Sequence, residues 1–299
     1  MIKTENLVKN FEDFTALDHV NMHVPAGAVY GLVGPNGAGK TTILRHVAGI
    51  YKPEEGQVLI GDRPVYENPQ VKASFTYIPD DFFYFSQANT LEMMKFYKNI
   101  YPHFDEKLFE ELREAFREID PKKKVARLSK GMQKQVAFWL SICCRPEIML
   151  LDEPVDGLDP VMRRQVWSVI LSGAVEHGTT VLVSSHNLRE LEDVCDHVGI
   201  MHRGKLVLEH SLSELQGNIS KVQIAFAPGA EPSFEDLPVM HTSVSGRVHT
   251  AIIKGNPLEV EDRLKKINPL LLDILPLSLE EIFIYELGGD DYAVKEILI

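Results

Sequence analysis

Gly34, Gly39, Lys40 and Thr41 fall in the run GPNGAGKTT, residues 34–42, and their spacing is the Gly-x-x-x-x-Gly-Lys-[Ser/Thr] pattern of a phosphate-binding loop. The chemistry follows from the residue types. Glycines let successive backbone N–H groups turn toward one anion, and a helix starting behind them adds the positive end of its dipole. In the stretch Gly34, Pro35, Asn36, Gly37, Ala38, Gly39, Lys40, Thr41 and Thr42, the lysine is placed to reach β- and γ-phosphates and the Thr41 hydroxyl to ligate Mg2+. A plain glycine turn is the alternative. The flanks weigh against it: AVYGLV (28–33) is apolar enough for a buried strand, and TILRHVAGI (42–50) reads as a helix.

A second constellation lies about a hundred residues on. IMLLDEP (148–154) is an apolar strand ending in two acids and a proline, the pattern of a central parallel strand beside a ligand crevice. There Asp152 is placed to coordinate Mg2+, and Glu153 to orient an attacking water or take its proton. Alone, the acid pair reads as a solvated turn; behind a phosphate loop, it reads as catalytic. TTVLVSSH (179–186) is another strand, ending at His186 on the same edge. A lone histidine there is either a capped structural residue or part of the site. Phe11 precedes the loop in the connection NFEDFTA. Its ring either stacks on a purine or packs on its own hairpin, and local sequence leaves both open.

The elements that must position these residues alternate strand and helix. Residues 2–8 and 18–24 read as strands, as do both arms of GQVLIGDRPV (56–65) and SFTYIP (74–79). DDFFYFS (80–86) then holds four adjacent aromatics, which form a protein-contact patch if exposed and core filler if buried. Helical periodicity over 90–101 and 105–119 makes 80–127 a mostly helical insertion. Ser129 is placed to cap a helix running through Leu140 and Ile142. Further helices are expected over 160–176 and 187–196, then a hairpin turning at Arg203-Gly204. After Gly217 the pattern changes. Strands at 221–227 and 247–255, a helix at 257–267, a strand at LLLDILPL and a last helix at SLEEIFIYEL describe a small C-terminal α+β domain, residues 218–299.

Composition sets limits. The chain has 299 residues and a net charge of −12, which argues against a partner bound through nucleic-acid phosphates. Cys143, Cys144 and Cys195 are too few and too oddly placed for a disulfide framework, and no Cys-x-x-Cys pair suggests zinc. No window of about 18 consecutive apolar residues appears, so any membrane role is expected to go through a partner.

The ordered motifs GPNGAGKTT, LSKGMQ, MLLDEP, DGLDP and SSH resemble the ATP-binding cassette of ABC transporters over about residues 1–215. The resemblance implies an α/β fold: a P-loop NTPase ABC cassette over 1–217, with an antiparallel β subdomain and a helical subdomain at about 80–145. It implies ATP and Mg2+ as cofactors and a head-to-tail dimer, with a second copy or a paralogous cassette, enclosing two ATP molecules. Ser129 and Gly131 then contact the γ-phosphate held by the partner, Val155–Asp159 crosses the interface, His186 senses the γ-phosphate and Phe11 stacks on adenine.

Two positions depart from the family pattern. Asp80 stands where Gln, often Glu, is usual after the strand ending near Pro79. The resemblance points it at Mg2+ or the attacking water, and Asp80→Gln is expected to hydrolyse ATP at least as fast. Lys130 and Met132 replace the commonest Gly and Gln of the signature, a variant that looks like the bacterial exporter branch. A single cassette of this kind resembles subunits that dock on a separate integral-membrane permease, so a cytoplasmic protein peripheral on the inner face of the membrane is expected, powering export. The alternative is a soluble ABC ATPase with a non-transport role. Residues 80–85 and the helices that follow them are expected to carry the permease groove, and residues 218–299 to pair two subunits rather than merely pack on their own cassette.

Overall fold

A computed structural model describes residues 1–82, 84–227, 234 and 237–287. They divide into two compact units, residues 1–187 with 194–209 and residues 188–193 with 210–299.

The first unit opens with a hairpin, β1 (Ile2–Phe11) and β2 (Phe14–Val24). Its connection is only Glu12-Asp13, because Glu12 takes the left-handed conformation (φ 51°) and the strands pair as far as Phe11 opposite Phe14. Then follow β3 (Val29–Val33), α1 (Lys40–Val47), β4 (Glu55–Ile60), β5 (Arg63–Pro64), α2 (Pro69–Lys72) and β6 (Phe75–Ile78). The helical part holds α3 (Thr90–Ile100), α4 (Glu106–Glu111) and α5 (Lys130–Cys143). β7 (Ile148–Asp152), α6 (Pro160–His177), β8 (Thr180–Ser185), β9 (His197–His202) and β10 (Lys205–Ser211) as far as Glu209 complete the unit, α7 (Leu188–Glu192) belonging to the other.

One sheet has the order β2-β1-β4-β5 and is antiparallel. The other has the order β10-β9-β3-β8-β7-β6, with β9, β3, β8, β7 and β6 parallel. β3 and β7 are buried at every position, which is why they are written as unbroken apolar runs rather than alternating ones. Helix starts follow the expected chemistry: Asn89 and Glu92 form a reciprocal capping box on α3, and Ser129 accepts the Met132 N–H on α5. The helical part closes over Trp139, whose ring stacks between Phe109 (4.4 Å) and Phe116 (5.5 Å). The helix expected over 105–119 stops early. The Phe116 N–H still reaches back four residues to Leu112, but the Ile119 N–H reaches only three, to Phe116, so the regular ladder lapses into turns.

The second unit is a four-stranded antiparallel sheet, β12-β13-β11-β14. Its strands are β11 (Ile219–Ala225), β12 (Val239–Ser245), β13 (Val248–Lys254) and β14 (Leu271–Leu275). With it go α8 (Leu212–Asn218), α9 (Pro257–Lys265) and α10 (Leu279–Leu287). Val222, Ile224, Ala251 and Ile253 pack with Val260 and Leu264 of α9 as its core. The division falls at Glu209–His210, before the Gly217 expected from the pattern, because α8 is fixed by its own capping box, Ser211 with Glu214, and leads straight into β11. α7 also belongs here: Arg189 grips Glu280 with two hydrogen bonds (3.0 and 2.9 Å), and Glu192 accepts the Leu279 N–H. β12 is a strand that the sequence pattern does not announce. Its residues Met240–Ser245 are exposed, so they carry none of the apolar alternation that marks a half-buried strand.

Candidate functional site

The loop after β3 is shaped by its glycines. Gly37 (φ 82°) and Gly39 (φ 106°) lie in the left-handed region, and a Cβ on Gly34 would sit 2.3 Å from the Met201 carbonyl oxygen. Gly39 is also the N-cap of α1 and offers no side-chain acceptor. The first amides of α1 are therefore left to an anion from outside, as a phosphate cradle requires. Lys40, 5% exposed, donates to the carbonyls of Gly34 (2.6 Å) and Pro35 (3.2 Å) and pairs with Glu153 Oε1 at 3.3 Å.

Strand order brings the remaining groups to this loop. β8 lies between β3 and β7, with Ser185 in register with Val33 and Ser184 with Asp152. Asp152 is 1% exposed, and its Oδ1 accepts the hydroxyls of Ser184 (2.7 Å) and Thr41 (3.1 Å). Burial pushes its carboxyl pKa up, and those two hydrogen bonds oppose the shift. The Tyr77 hydroxyl faces Oδ2 at 3.5 Å, and burial, reinforced by the Asp152 charge, pushes it up to about 12. Thr41 and Asp152 thus present adjacent hard oxygen ligands. Among the described residues no group of three or more His, Cys, Asp and Glu could hold a metal by itself. Two protein oxygens suit Mg2+, which takes one or two protein ligands and completes its shell with phosphates and water.

Glu153 is held at every polar atom. It takes a left-handed backbone conformation, φ 45°. Its N–H donates to Ser184 Oγ (3.0 Å) and its carbonyl accepts from Lys134 (2.9 Å). Its Oε1 faces Lys40, and its Oε2 lies 2.9 Å from His186 Nδ1 and accepts the His186 N–H at 3.3 Å. The histidine that ends β8 therefore lies against Glu153 rather than capping its own strand.

A cleft of about 300 Å3 runs over these groups. Residues 36–42 and Glu153 line it, together with Asp80 and with Phe11, Phe14 and Ala16 of the first hairpin. Phe11 meets Tyr51 edge-on at 5.7 Å and is 41% exposed, so packing on its neighbour and facing the cleft are not exclusive. Ser129 and Gly131 do not line this cleft; Ser129 is exposed at the start of α5. A second cavity, about 350 Å3, lies at the opposite ends of β7 and β8 near Arg145, His177 and Thr179, and none of Lys40, Thr41, Asp152, Glu153 and His186 lines it.

Sequence reasoning missed Phe14, Ser184 and Lys134. Ser184 was legible in principle, since a polar residue closing an apolar strand beside Asp152 needs a partner. Of the aromatic run, Phe83 lies outside the described residues. Tyr84 is half-buried and donates to the Gln133 carbonyl (2.5 Å), whereas Phe85 is 47% exposed and meets Phe96 edge-on at 5.0 Å.

Residues 17–156 match the family model described as ABC transporter. The chain is 31% identical to the ABC transporter ATP-binding protein YtrB of Bacillus subtilis over 289 residues, covering 97% of this chain and 99% of that protein. It is 32% identical to the bacitracin transport ATP-binding protein BcrA of Enterococcus faecalis, over 72% of this chain and 70% of that one. Among solved structures, the dimeric bacterial ABC transporter cassette MJ0796 superposes with a TM-score of 0.65 at 23% identity, over 71% of this chain and 99% of that one, a likeness of fold.

Proposed function

This chain belongs to the family of ABC transporter ATP-binding proteins, ATP-hydrolysing cassettes, and from that premise we propose that it is the motor subunit of an exporter, driving a separate integral-membrane permease. Lys40 and the loop amides hold the phosphates, while Thr41 and Asp152 would hold Mg2+, which would supply charge neutralisation at the phosphates. Phe11 and Phe14 receive the purine at the mouth of the cleft. Glu153 takes the proton of the attacking water, and His186 fixes its carboxylate. The carrying observation is that one carboxylate, Glu153, is held between Lys40 of the phosphate loop and His186 while facing the cleft.

Ser129 and Gly131 stand apart from this chain's own cleft, which supports their contacting a nucleotide on a second cassette. ATP stabilises such a closed pair, and loss of the γ-phosphate releases it. We assign the second unit to holding two chains together between cycles. No helix among the described residues is long and apolar enough to cross a membrane; on our reading the permease is a separate chain and this one works at the inner face of the membrane. The name of the relative BcrA, a bacitracin transport ATP-binding protein, supports a role in transport. The test is affinity purification of the full-length chain from detergent-solubilised membranes. Recovery of a polytopic membrane protein whose presence raises ATP turnover is expected; a chain that stays in the soluble fraction points instead to a non-transport ABC ATPase.

A further inference from the structure

Lys134 lies between Gln133 and Gln135 in the first turns of α5, yet its side chain is only 9% exposed. A buried ammonium has three donors and no acceptor, and is costly unless each donor is met and a counter-charge stands near. Here all three are met. Nζ lies 2.9 Å from the Glu153 carbonyl, 2.9 Å from the Asp156 carbonyl and 3.5 Å from Asp80 Oδ1. The three acceptors come from two strand ends: Asp80 follows β6, and Glu153 and Asp156 follow β7. Lys134 itself lies on the helix that Ser129 caps.

We propose that Lys134 is a positioning residue for ATP hydrolysis: its ammonium, with Asp80 as counterion, fixes the backbone of Glu153 so that the carboxylate stays on the cleft. The backbone of Glu153 carries the reasoning. A non-glycine residue at φ 45° persists only where its surroundings over-determine it. Ser184 takes its N–H, and Lys134 takes its carbonyl. The Asp156 N–H reaches the same carbonyl at 3.3 Å, so Lys134 closes the turn that leaves β7 from both ends. Without the ammonium that carbonyl keeps only the longer 3.3 Å bond from the Asp156 N–H, and the peptide can relax, swinging the Glu153 carboxylate away from His186 and Lys40. Asp80 then acts through Lys134. Its short side chain meets the ammonium, which a longer neutral Gln would leave without a counter-charge. That reverses the expectation that Asp80→Gln would hydrolyse ATP at least as fast.

The inference rests on Glu153 as the general base, and one assay on the full-length chain separates the two ideas. Steady-state ATP turnover and affinity for a fluorescent ATP analogue are measured for Lys134→Met, Lys134→Arg, Asp80→Asn, the double variant Asp80→Asn with Lys134→Met, and Glu153→Gln. Lys134→Met should lower kcat by roughly 30- to 100-fold, the size expected for an ångström-scale misplacement of a catalytic group. Analogue affinity should stay within about threefold, since the phosphate loop is untouched. Lys134→Arg, which keeps charge and donors, should recover part of kcat. Asp80→Asn should lower kcat about five- to tenfold alone and add nothing once Lys134 is gone, because the two act as one unit. If Lys134→Met is not recovered folded, Lys134→Gln carries the same cycle. Turnover within about twofold of the unaltered chain in Lys134→Met overturns the proposal. So does a parallel fall in analogue affinity and melting temperature, and so does an Asp80→Asn loss of equal size in both backgrounds. Unchanged turnover in Glu153→Gln would instead remove the base itself, and the proposal with it.

Discussion

The ammonium of Lys40 stands 3.3 Å from the carboxylate of Glu153, so the phosphate loop and the end of β7 meet as an ion pair at the floor of the cleft. Both groups are shielded, Lys40 at 5% and Glu153 at 15% side-chain exposure. Each is therefore poised by the other, and each can be removed separately.

Lys40→Ala should abolish measurable ATP binding by calorimetry, because it removes the ammonium positioned for the β- and γ-phosphates. Glu153→Gln should keep binding and lose turnover by roughly 10²- to 10⁴-fold, the usual contribution of a general base. Gel filtration with light scattering should then find Glu153→Gln as an ATP-stabilised dimer. Turnover at the normal rate would mean that the proton goes elsewhere.

His186 contacts Glu153 through both its ring and its N–H. His186→Ala keeps the backbone contact and loses the ring. We expect kcat to fall about 10- to 100-fold with little change in ATP affinity, as for a group acting mainly in the transition state. An equal fall in affinity would assign the ring to ground-state phosphate binding instead.

The loop glycines should differ in a stated order when changed to alanine. Gly37→Ala carries only backbone strain, since nothing lies within 4 Å of the methyl it would gain, and should cost about 1 kcal/mol. Gly34→Ala would place a methyl 2.3 Å from the Met201 carbonyl oxygen, and Gly39→Ala one 2.7 Å from that of Ala16. Each should cost more, roughly 1–3 kcal/mol or beyond, and lower both melting temperature and ATP binding. Calorimetric melting of the three variants checks the order.

The rings of Phe85 and Phe96 meet edge-on, and both are substantially exposed on the helical part. Interface cores are enriched in aromatics. Phe85→Ala with Phe96→Ala should release the chain from membranes in a flotation assay while ATP turnover of the purified chain survives. Retention on membranes would show that docking lies elsewhere.

β12 is an edge of its sheet among the described residues, with Val244 61% exposed. If the second units pair two chains, the nucleotide-free full-length protein should scatter light as a dimer at micromolar concentration. Val244→Lys, which blunts an edge strand with charge, should make it a monomer. A monomeric unaltered chain would reduce this unit to an accessory of one subunit.

The sequence by itself determined the chemistry and the order of its parts. GPNGAGKTT, LLDEP and the SSH ending are local patterns of residue type and spacing, so the gathering of Lys40, Thr41, Asp152, Glu153 and His186 at one edge of the sheet was legible from the chain alone. The apolar runs of β3 and β7 were legible too, because burial on both faces leaves no alternation to misread. Tertiary structure alone decided how these parts meet. Placing β8 between β3 and β7 is what joins Ser184 to Asp152 and His186 to Glu153. Lys134 could not be read as buried, since its three partners lie far along the chain and a lysine on a helix is ordinarily solvated. β12 was missed for the converse reason: backbone pairing with β13 makes it a strand, and its exposed side chains carry no period to announce it. Local pattern reports which groups can react; long-range pairing of strands fixes which of them come within a hydrogen bond.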